Sequence, residues 1–170
     1  MKSARLLTMM VVLACLAAGV AGTAHQGASL QPSRPAPSPA GAAELRRVRH
    51  VIDGDTLTVS GIGTIRLIGV DAPEKAGGFR EAEPYGEQAT AFLKRLAEGK
   101  RVRLEYDGER KDRYNRTLAY VFLEDGTLLN EAIIRAGWAE SYRNFAYHRK
   151  AAFQQAEREA RAARRGMWAR

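Results

Sequence analysis

The sequence predicts a domain of the α+β class. Along the chain come three strand-like segments, one helical segment, two further strand-like segments and two helical segments. Helices that fall in the middle and at the end of an antiparallel set of strands are typical of this class. Five short strands separated by turns also favour a small closed barrel such as the OB-fold, because a two-stranded unit alone is not stable.

The first three strands are marked by β patterns and by the glycine turns between them. Asp53-Gly54-Asp55 separates the first strand from the second, and Gly61-Ile62-Gly63 separates the second from the third. The third segment is rich in β-branched and aliphatic residues, and Pro73 should stop it. The predicted strands span residues 46–52, 56–60 and 64–70.

The later elements show a change from helical spacing to alternation and back. Apolar residues from Ala89 to Leu96 recur at helical spacing and predict a helix over 86–98, with Gly99 as its C-cap. Alternation of polar and apolar residues predicts a strand over 100–106, and a further strand is predicted over 118–123. Asn130 is expected to cap a short helix that runs to residue 136 and ends at Gly137. A long, charged, alanine-rich helix is predicted over 147–165.

The first 43 residues are predicted to lie outside the domain. Lys2 and Arg5 precede an apolar run that ends in small residues, which is typical of a signal peptide over residues 1–24, cleaved before His25. Residues 25–43 combine small residues with prolines and indicate a linker. The folded domain would then span residues 44–170.

Cys15 is the only cysteine, and it lies inside the predicted signal peptide. A mature chain would therefore contain neither a disulfide nor a thiolate metal site. The chain is expected to be periplasmic or secreted, without a membrane span after processing. Because Val12-Leu13-Ala14-Cys15 partly resembles a lipobox, a lipoprotein anchored through Cys15 is the alternative.

The charge of the chain favours a polyanionic partner. The formal net charge is +8 and the sequence pI is about 10.0. A basic surface attracts nucleic acids and speeds their encounter, so DNA and RNA are the expected partners, with single strands preferred. On charge alone, a basic protein without a nucleic-acid partner is an equally good interpretation. No pattern indicates a protein partner.

Three short segments at the ends of predicted strands carry most of the polar chemistry. Carboxylates bind a hard cation such as Ca²⁺, arginines clamp a phosphate, and a further carboxylate can take a proton from water. Together they favour metal-assisted hydrolysis of a phosphodiester. The segments are Asp53-Gly54-Asp55-Thr56, Arg66 with Asp71-Ala72-Pro73-Glu74, and Asp112-Arg113-Tyr114-Asn115-Arg116.

Each segment also has a plain structural interpretation. Asp-Gly-Asp is a common turn sequence, and for that segment alone the turn is favoured. A charged hairpin explains residues 112–116 as well as a binding site does. Strict alternation places Arg66 and Asp71 on opposite faces, so their side chains converge only if the strand bends or ends near Gly69.

Other candidate residues are interpreted as structural. His50 and His148 are isolated from any acid–cysteine cluster, which argues against zinc. Trp138 and Trp168 are expected to be packing residues. The basic residues of the last helix are expected to form a solvated face rather than a phosphate-binding surface.

Taken together, the three segments resemble the signatures of the staphylococcal nuclease (thermonuclease) family. The matching stretches are residues 51–56, 66–74 and 112–120, in the family's order and with matching gaps. Weaker similarities occur at Tyr85-Gly86, at residues 129–132 and at Gly166-Met167-Trp168. The resemblance covers about residues 46–168 and implies a five-stranded OB-fold barrel with flanking helices.

The resemblance also implies a Ca²⁺-dependent, sugar-nonspecific nuclease. Such enzymes cut DNA and RNA at the 5′ P–O bond and leave 3′-phosphates. The implied Ca²⁺ ligands are Asp55, Asp71 and the carbonyl of Ala72, with Asp53 as a support.

The same resemblance implies roles for the remaining polar residues. Glu74 would activate the attacking water, and Arg66 and Arg116 would bind the scissile phosphate and stabilise its transition-state charge. Arg113 and Tyr114 would contact the substrate. The general acid stays unassigned.

The chain departs from the family pattern at a few positions. Ala72 replaces a threonine, but the metal ligand is a backbone carbonyl, which any residue supplies. Arg113 replaces a lysine and Asn115 a glycine. The aromatic region does not align with the family's base-stacking tyrosines, so three residues are candidates for stacking on a base. They are Tyr142, Phe145 and Tyr147.

Two hypotheses compete with the nuclease. One is a noncatalytic nucleic-acid-binding module of the same OB-fold, and the other is an envelope-associated protein whose charge binds anionic surfaces. Degenerate members of such families usually lose the acids or the arginines. Here the full set is present, which favours activity.

Overall fold

The computed structural model describes residues 44–77 and 81–169. The predicted signal peptide and linker, at residues 1–43, lie outside the described residues. The elements in chain order are β1 (Arg46–Val51), β2 (Thr56–Val59), β3 (Gly63–Leu67), β4 (Val70–Asp71), α1 (Gly86–Ala97), β5 (Arg101–Glu105), β6 (Thr117–Leu123), α2 (Leu129–Arg135), β7 (Glu140–Ser141), α3 (Lys150–Ala162) and a final 3₁₀ turn (Gly166–Trp168).

Five strands form a closed barrel in the order β1-β2-β3-β6-β5. Every pair that the strand registers define is antiparallel except β3 and β6, which run parallel with Arg66 beside Leu118. A parallel pair needs a long crossover connection, and here α1 and β5 supply it. The α+β class and the five-stranded OB-fold barrel with flanking helices are therefore confirmed.

The core fills the barrel and continues under the helices. Leu57, Ile65 and Val102 are fully buried inside the barrel wall, and Ile133 of α2 and Phe153 of α3 belong to the same apolar cluster. The helices thus close the barrel on the side where β4 and β7 pair. No helix in the described part of the chain has the length and apolar character needed to cross a membrane.

The third predicted strand is divided into two separate elements in the structure. Strand β3 ends at Leu67, Gly69 takes a left-handed conformation with φ of 74°, and Val70–Asp71 pairs with Glu140–Ser141. Neither two-residue strand was predicted, because two residues cannot show alternation. The bend near Gly69 is the condition that allows Arg66 and Asp71 to converge.

Two predictions about the helices were wrong. The long helix spans Lys150–Ala162 rather than residues 147–165. Asn130 does not cap α2, whose N-cap is Leu128. Instead, Asn130 is buried, donates hydrogen bonds to the carbonyls of Ile68 and Ala119, and accepts one from the N–H of Val121. Buried backbone groups beside the bend need polar partners, and this side chain supplies them.

Candidate active site

The three polar segments meet at one rim of the barrel because the strands that carry them are neighbours. Thr56 of β2 pairs with Arg66 of β3, and Arg66 pairs with Leu118 of β6. Segments that are distant in the chain therefore lie side by side where β2 and β6 begin and β3 ends. The sequence predicted these segments separately, and strand order brings them together.

Asp55 is the most buried carboxylate of this rim, with 7% of the residue exposed. Its Oδ2 atom lies 2.8 Å from Nη1 of Arg66 and accepts a hydrogen bond of 3.2 Å from the N–H of Ala72. Asp53 accepts a hydrogen bond from the N–H of Asp55 at 3.0 Å. Asp53 thus stabilises the turn that presents Asp55, and its role as a support for a metal ligand stays a prediction.

The environment of Asp55 disfavours its charged form. Burial raises the pKa of Asp55 to about 7; the Arg66 guanidinium opposes this rise, and the neighbouring Asp53 carboxylate adds to it. A divalent cation at this carboxylate would favour the ionised form. A cation bound at this position would therefore change the charge state of Asp55.

The bend after β3 brings Arg66 toward Asp71. Nη1 of Arg66 donates a hydrogen bond to the carbonyl of Val70 at 2.8 Å, and Nη2 lies 3.9 Å from Oδ1 of Asp71. A side chain at Gly69 would meet the ring of Tyr147 at 2.5 Å, so the bend also requires a glycine. One guanidinium thus lies against both predicted metal-binding carboxylates.

The loop with Glu74 packs tightly against the start of α1. The N–H of Glu83 donates to the carbonyl of Glu74 at 2.8 Å, and Oε2 of Glu83 accepts from the N–H of Glu74 at 3.2 Å. A Cβ on Gly86 would lie only 2.0 Å from the Glu74 carbonyl oxygen. A Cβ on Gly54 would likewise lie 2.6 Å from the Cβ of Ala72 and 2.9 Å from the Cβ of Ala89. Neither glycine was predicted to be a site residue, although Gly54 belongs to the predicted Asp-Gly-Asp turn and Gly86 to the weaker family similarity at Tyr85-Gly86.

Arg116 is held by a local turn. Its Nε donates to Oδ2 of Asp112 at 2.7 Å, and Oδ1 of Asp112 accepts from the N–H groups of Tyr114 and Arg116, both at 2.9 Å. Partial burial raises the pKa of Asp112, but the hydrogen bonds from Arg116 outweigh it and the net pKa is lowered. Asn115 has a φ of 62°, a conformation that asparagine tolerates well.

The two remaining predicted substrate residues lie on the same turn and face solvent. Tyr114 is 63% exposed, and the guanidinium of Arg113 lies 4.8 Å from the centre of its ring. The guanidinium of Arg116 lies 5.5 Å from the same ring. Both residues are free to meet a ligand that reaches Arg116.

Thr56 joins the carboxylates to this turn, a role that no pattern in the sequence predicted. Its hydroxyl donates to Oδ1 of Asp55 at 2.9 Å and lies 3.4 Å from Nη1 of Arg116, which can donate to it. The only signal in the sequence was its place directly after Asp55. Arg66 and Arg116 are therefore connected through two intervening side chains.

The donors at the rim suit a hard cation. Asp55, Asp71 and the Ala72 carbonyl are oxygen donors of the kind that Ca²⁺ prefers. Among residues 44–77 and 81–169, no group of three His, Cys, Asp or Glu side chains gathers to hold a metal ion. A cation here would rely on two carboxylates, one backbone carbonyl and water. Hard cations commonly retain water ligands, so these residues fit the implied Ca²⁺.

The structure separates the three aromatic candidates for base stacking. Tyr147 is buried, and its hydroxyl lies 2.8 Å from that of Ser141. Phe145 is exposed and contacts Tyr142, with ring centres 4.9 Å apart. Tyr142 and Phe145 are therefore the candidates with accessible rings.

An OB-fold barrel whose rim gathers two arginines and two carboxylates has the composition of a site for a phosphodiester and a cation. A family model described as "Staphylococcal nuclease homologue" matches residues 64–170. The chain therefore belongs to the staphylococcal nuclease family, as its motifs predicted.

Named relatives resemble the chain over most of its length. A thermonuclease of Staphylococcus hyicus is 41% identical over 128 residues, which cover 72% of this chain and 74% of that protein. A thermonuclease of Staphylococcus intermedius is 40% identical over 129 residues, covering 72% and 75%. An uncharacterized endonuclease of Escherichia coli is 37% identical over 125 residues, covering 72% and 75%.

Proposed function

We propose that this chain is an exported, Ca²⁺-dependent, sugar-nonspecific nuclease. It would hydrolyse DNA and RNA at the 5′ P–O bond and leave 3′-phosphates. The observation that carries the proposal is the connection of Arg66 to Arg116 through Asp55 and Thr56, at distances of 2.8 to 3.4 Å. The thermonuclease and endonuclease names of the relatives support the same activity.

The two arginines would bind the scissile phosphate from two sides. Arginine hydrogen bonds to phosphate strengthen as negative charge builds in the transition state, so both residues would lower the barrier. Asp55, Asp71 and the Ala72 carbonyl would hold Ca²⁺, which when bound would polarise the phosphate and neutralise part of its charge.

Glu74 would take a proton from the attacking water. The water oxygen forms the new bond to phosphorus while the bond to the 5′ oxygen breaks. The departing 5′ oxygen takes a proton from solvent water, and the products are a 3′-phosphate and a 5′-hydroxyl. The position of the base depends on the contact between its loop and α1, where Gly86 leaves no room for a side chain. Arg113 and Tyr114 would contact the substrate beside Arg116.

Export would follow from the predicted signal peptide, with a periplasmic or secreted mature chain. Anchoring through Cys15 is the alternative. Cell fractionation with an antibody to the folded domain distinguishes the two alternatives. Cys15→Ser should release the chain from the membrane fraction only if the chain is anchored by a lipid.

The nuclease proposal is tested with the purified chain on single-stranded DNA, in Ca²⁺ and then in EGTA. Cleavage that needs Ca²⁺ is expected. The products should resist extension by a polymerase until a phosphatase removes their 3′-phosphates.

Glu74→Gln should abolish this cleavage while DNA binding persists. Glu87→Gln, which removes an exposed carboxylate from the first turn of α1, is the matched control. Unchanged cleavage in Glu74→Gln would exclude Glu74 as the base. Tight, salt-sensitive binding without cleavage by the unaltered chain would instead establish the noncatalytic OB-fold module.

A further inference from the structure

A second aromatic–cation pair lies on the β5–β6 hairpin, outside the residues assigned to the reaction. Tyr106 is 38% exposed, and the guanidinium of Arg110 lies 4.3 Å from the centre of its ring. Tyr114 and Arg113 form a similar pair on the same hairpin. Aromatic rings interleaved with cations are typical of surfaces that bind single-stranded nucleic acid.

The Tyr106–Arg110 pair lies close to the candidate active site. The N–H of Leu118 donates to the carbonyl of Arg110 at 3.0 Å, and Leu118 is also the strand partner of Arg66. Arg110 lies in the connection between β5 and β6, where Lys111 forms an isolated antiparallel bridge with Thr117, so Arg110 and Arg66 lie on either side of Leu118. Because paired neighbouring segments are about 4.8 Å apart, the backbones of Arg110 and Arg66 are about 10 Å apart. A nucleotide next to the scissile phosphate can span such a distance.

The charges of the hairpin complement a polyanion. Arg110, Lys111 and Arg113 are exposed. Two of the acids of this segment are engaged within the protein: Asp112 binds Arg116, and Asp107 accepts hydrogen bonds from the Tyr120 hydroxyl and from the N–H of His148. Glu109 is the exposed carboxylate of the segment. The surface beside Tyr106 is therefore predominantly cationic.

We propose that Tyr106 and Arg110 form an additional subsite for one unpaired nucleotide of a bound single strand. The base stacks on the Tyr106 ring, and Arg110 binds the adjoining phosphate. The inference rests on the proposed function, because it extends the strand that the two catalytic arginines would hold.

The test measures binding of fluorescent single-stranded oligonucleotides to the full chain in EGTA, where the proposed cleavage does not occur. Tyr106→Ala should weaken binding of an eight-nucleotide strand about tenfold and leave binding of a dinucleotide unchanged. Tyr106→Phe should bind as the unaltered chain does, because stacking needs the ring and not the hydroxyl. Leu45→Ala is the matched control, since Leu45 is also 38% exposed.

Arg110→Gln gives a second, independent readout. It should reduce the salt dependence of octamer binding by about one phosphate contact, with the dinucleotide again unaffected. Thermal unfolding of each variant shows whether it is folded.

Three results would overturn the subsite. They are unchanged octamer binding in Tyr106→Ala, equal weakening for both lengths, and competition by poly-glutamate as effective as that by an oligonucleotide. The last would indicate a surface for acidic proteins. Failure of the proposed function is distinguishable, because it would show as absent cleavage in Ca²⁺ while Tyr106-dependent binding persists.

Discussion

The candidate active site has two halves that are stabilised by different kinds of contact. The carboxylate half contains Asp55, Arg66 and Asp71, and the other half is the turn of residues 112–116, which carries Arg116. Asp55 is buried and bonded to Arg66 and to the backbone of Ala72, residues that lie on other segments of the chain. Arg116 is only partly buried, and its carboxylate partner, Asp112, is four residues away in the same turn. The first half therefore depends on the whole fold, whereas the second is largely a local structure.

The carboxylate half also rests on the helices. Asn130 of α2 holds the carbonyl of Ile68 at the start of the bend. Glu157 of α3 is buried and accepts hydrogen bonds from the N–H of Ser141, in the strand that pairs with Asp71, and from Arg143 and Arg161. A buried carboxylate needs such partners, because an unpaired charge in the interior is strongly destabilising. Changes far from the rim should thus reach Asp71 but not Arg116.

The two arginines give the largest expected contrast. Arg66→Ala and Arg116→Ala should each reduce kcat by about a hundredfold or more, since each removes a proposed donor to the transition state. Arg66→Ala should also lower the free energy of unfolding by about 1–3 kcal/mol, because it leaves Asp55 and the carbonyl of Val70 without their hydrogen-bond donor. Arg116→Ala should lower it by less than about 1 kcal/mol.

Initial rates and urea unfolding at pH 7.5 measure both effects, with Arg66→Lys as the variant that retains charge. Equal destabilisation by the two alanine variants would contradict the distinction between a tertiary and a local half.

Asn130→Ala should be the next largest change. It leaves backbone groups of Ile68, Ala119 and Val121 without their buried partner. The free energy of unfolding should therefore fall by about 1–3 kcal/mol, the usual cost of unsatisfied buried groups. Because the bend carries Asp71, calorimetric titration should also show weaker Ca²⁺ binding. Gln155→Ala removes an exposed amide on α3 and is the control. Weaker stability with unchanged Ca²⁺ affinity would show that Asn130 supports the core but not the bend.

Thr56→Val tests the link between the halves. The substitution keeps the volume and removes the hydroxyl between Asp55 and Arg116, so activity should fall by about tenfold for one lost hydrogen bond. Thr58→Val changes the same strand at a position where the hydroxyl donates only to the His50 carbonyl, and it should leave the rate unchanged. Equal rates for the two variants would mean that the halves act independently.

The smallest effect is expected from Asp112→Asn, through its pH dependence. The pKa of Asp112 is lowered in the folded chain, so its ion pair stabilises the fold above the ordinary carboxyl pKa of 3.8 and ceases to do so as pH falls through the folded value. The free energy of unfolding of the unaltered chain should exceed that of the variant by about 1 kcal/mol at pH 7, and this difference should shrink below pH 4.

Unfolding free energies at pH 7 and pH 3 check this prediction, with Glu109→Gln as a control that removes another carboxylate of the hairpin. A difference that grows on acidification would reverse the sign of the linkage.

Local patterns in the sequence predicted several strands and several residues of the candidate active site. Alternation located β1, β2, β5 and β6 to within one or two residues, because side-chain direction in a strand repeats every two residues. The motifs singled out Asp55, Arg66 and Arg116, which the structure places on one rim. The Asp112–Arg116 turn was visible as one continuous segment, since all its hydrogen bonds are local.

By itself, then, the sequence determined the order of strands and helices, the class of the fold and the identity of the charged groups, since these depend on local periodicity and side-chain chemistry. Only the tertiary structure decided the β4–β7 pair, the interior role of Asn130 and the bridging position of Thr56. It also decided that α1 lies against Glu74 at Gly86. The physical reason is that each of these features is a contact between segments far apart in the chain, which barrel closure and burial bring together.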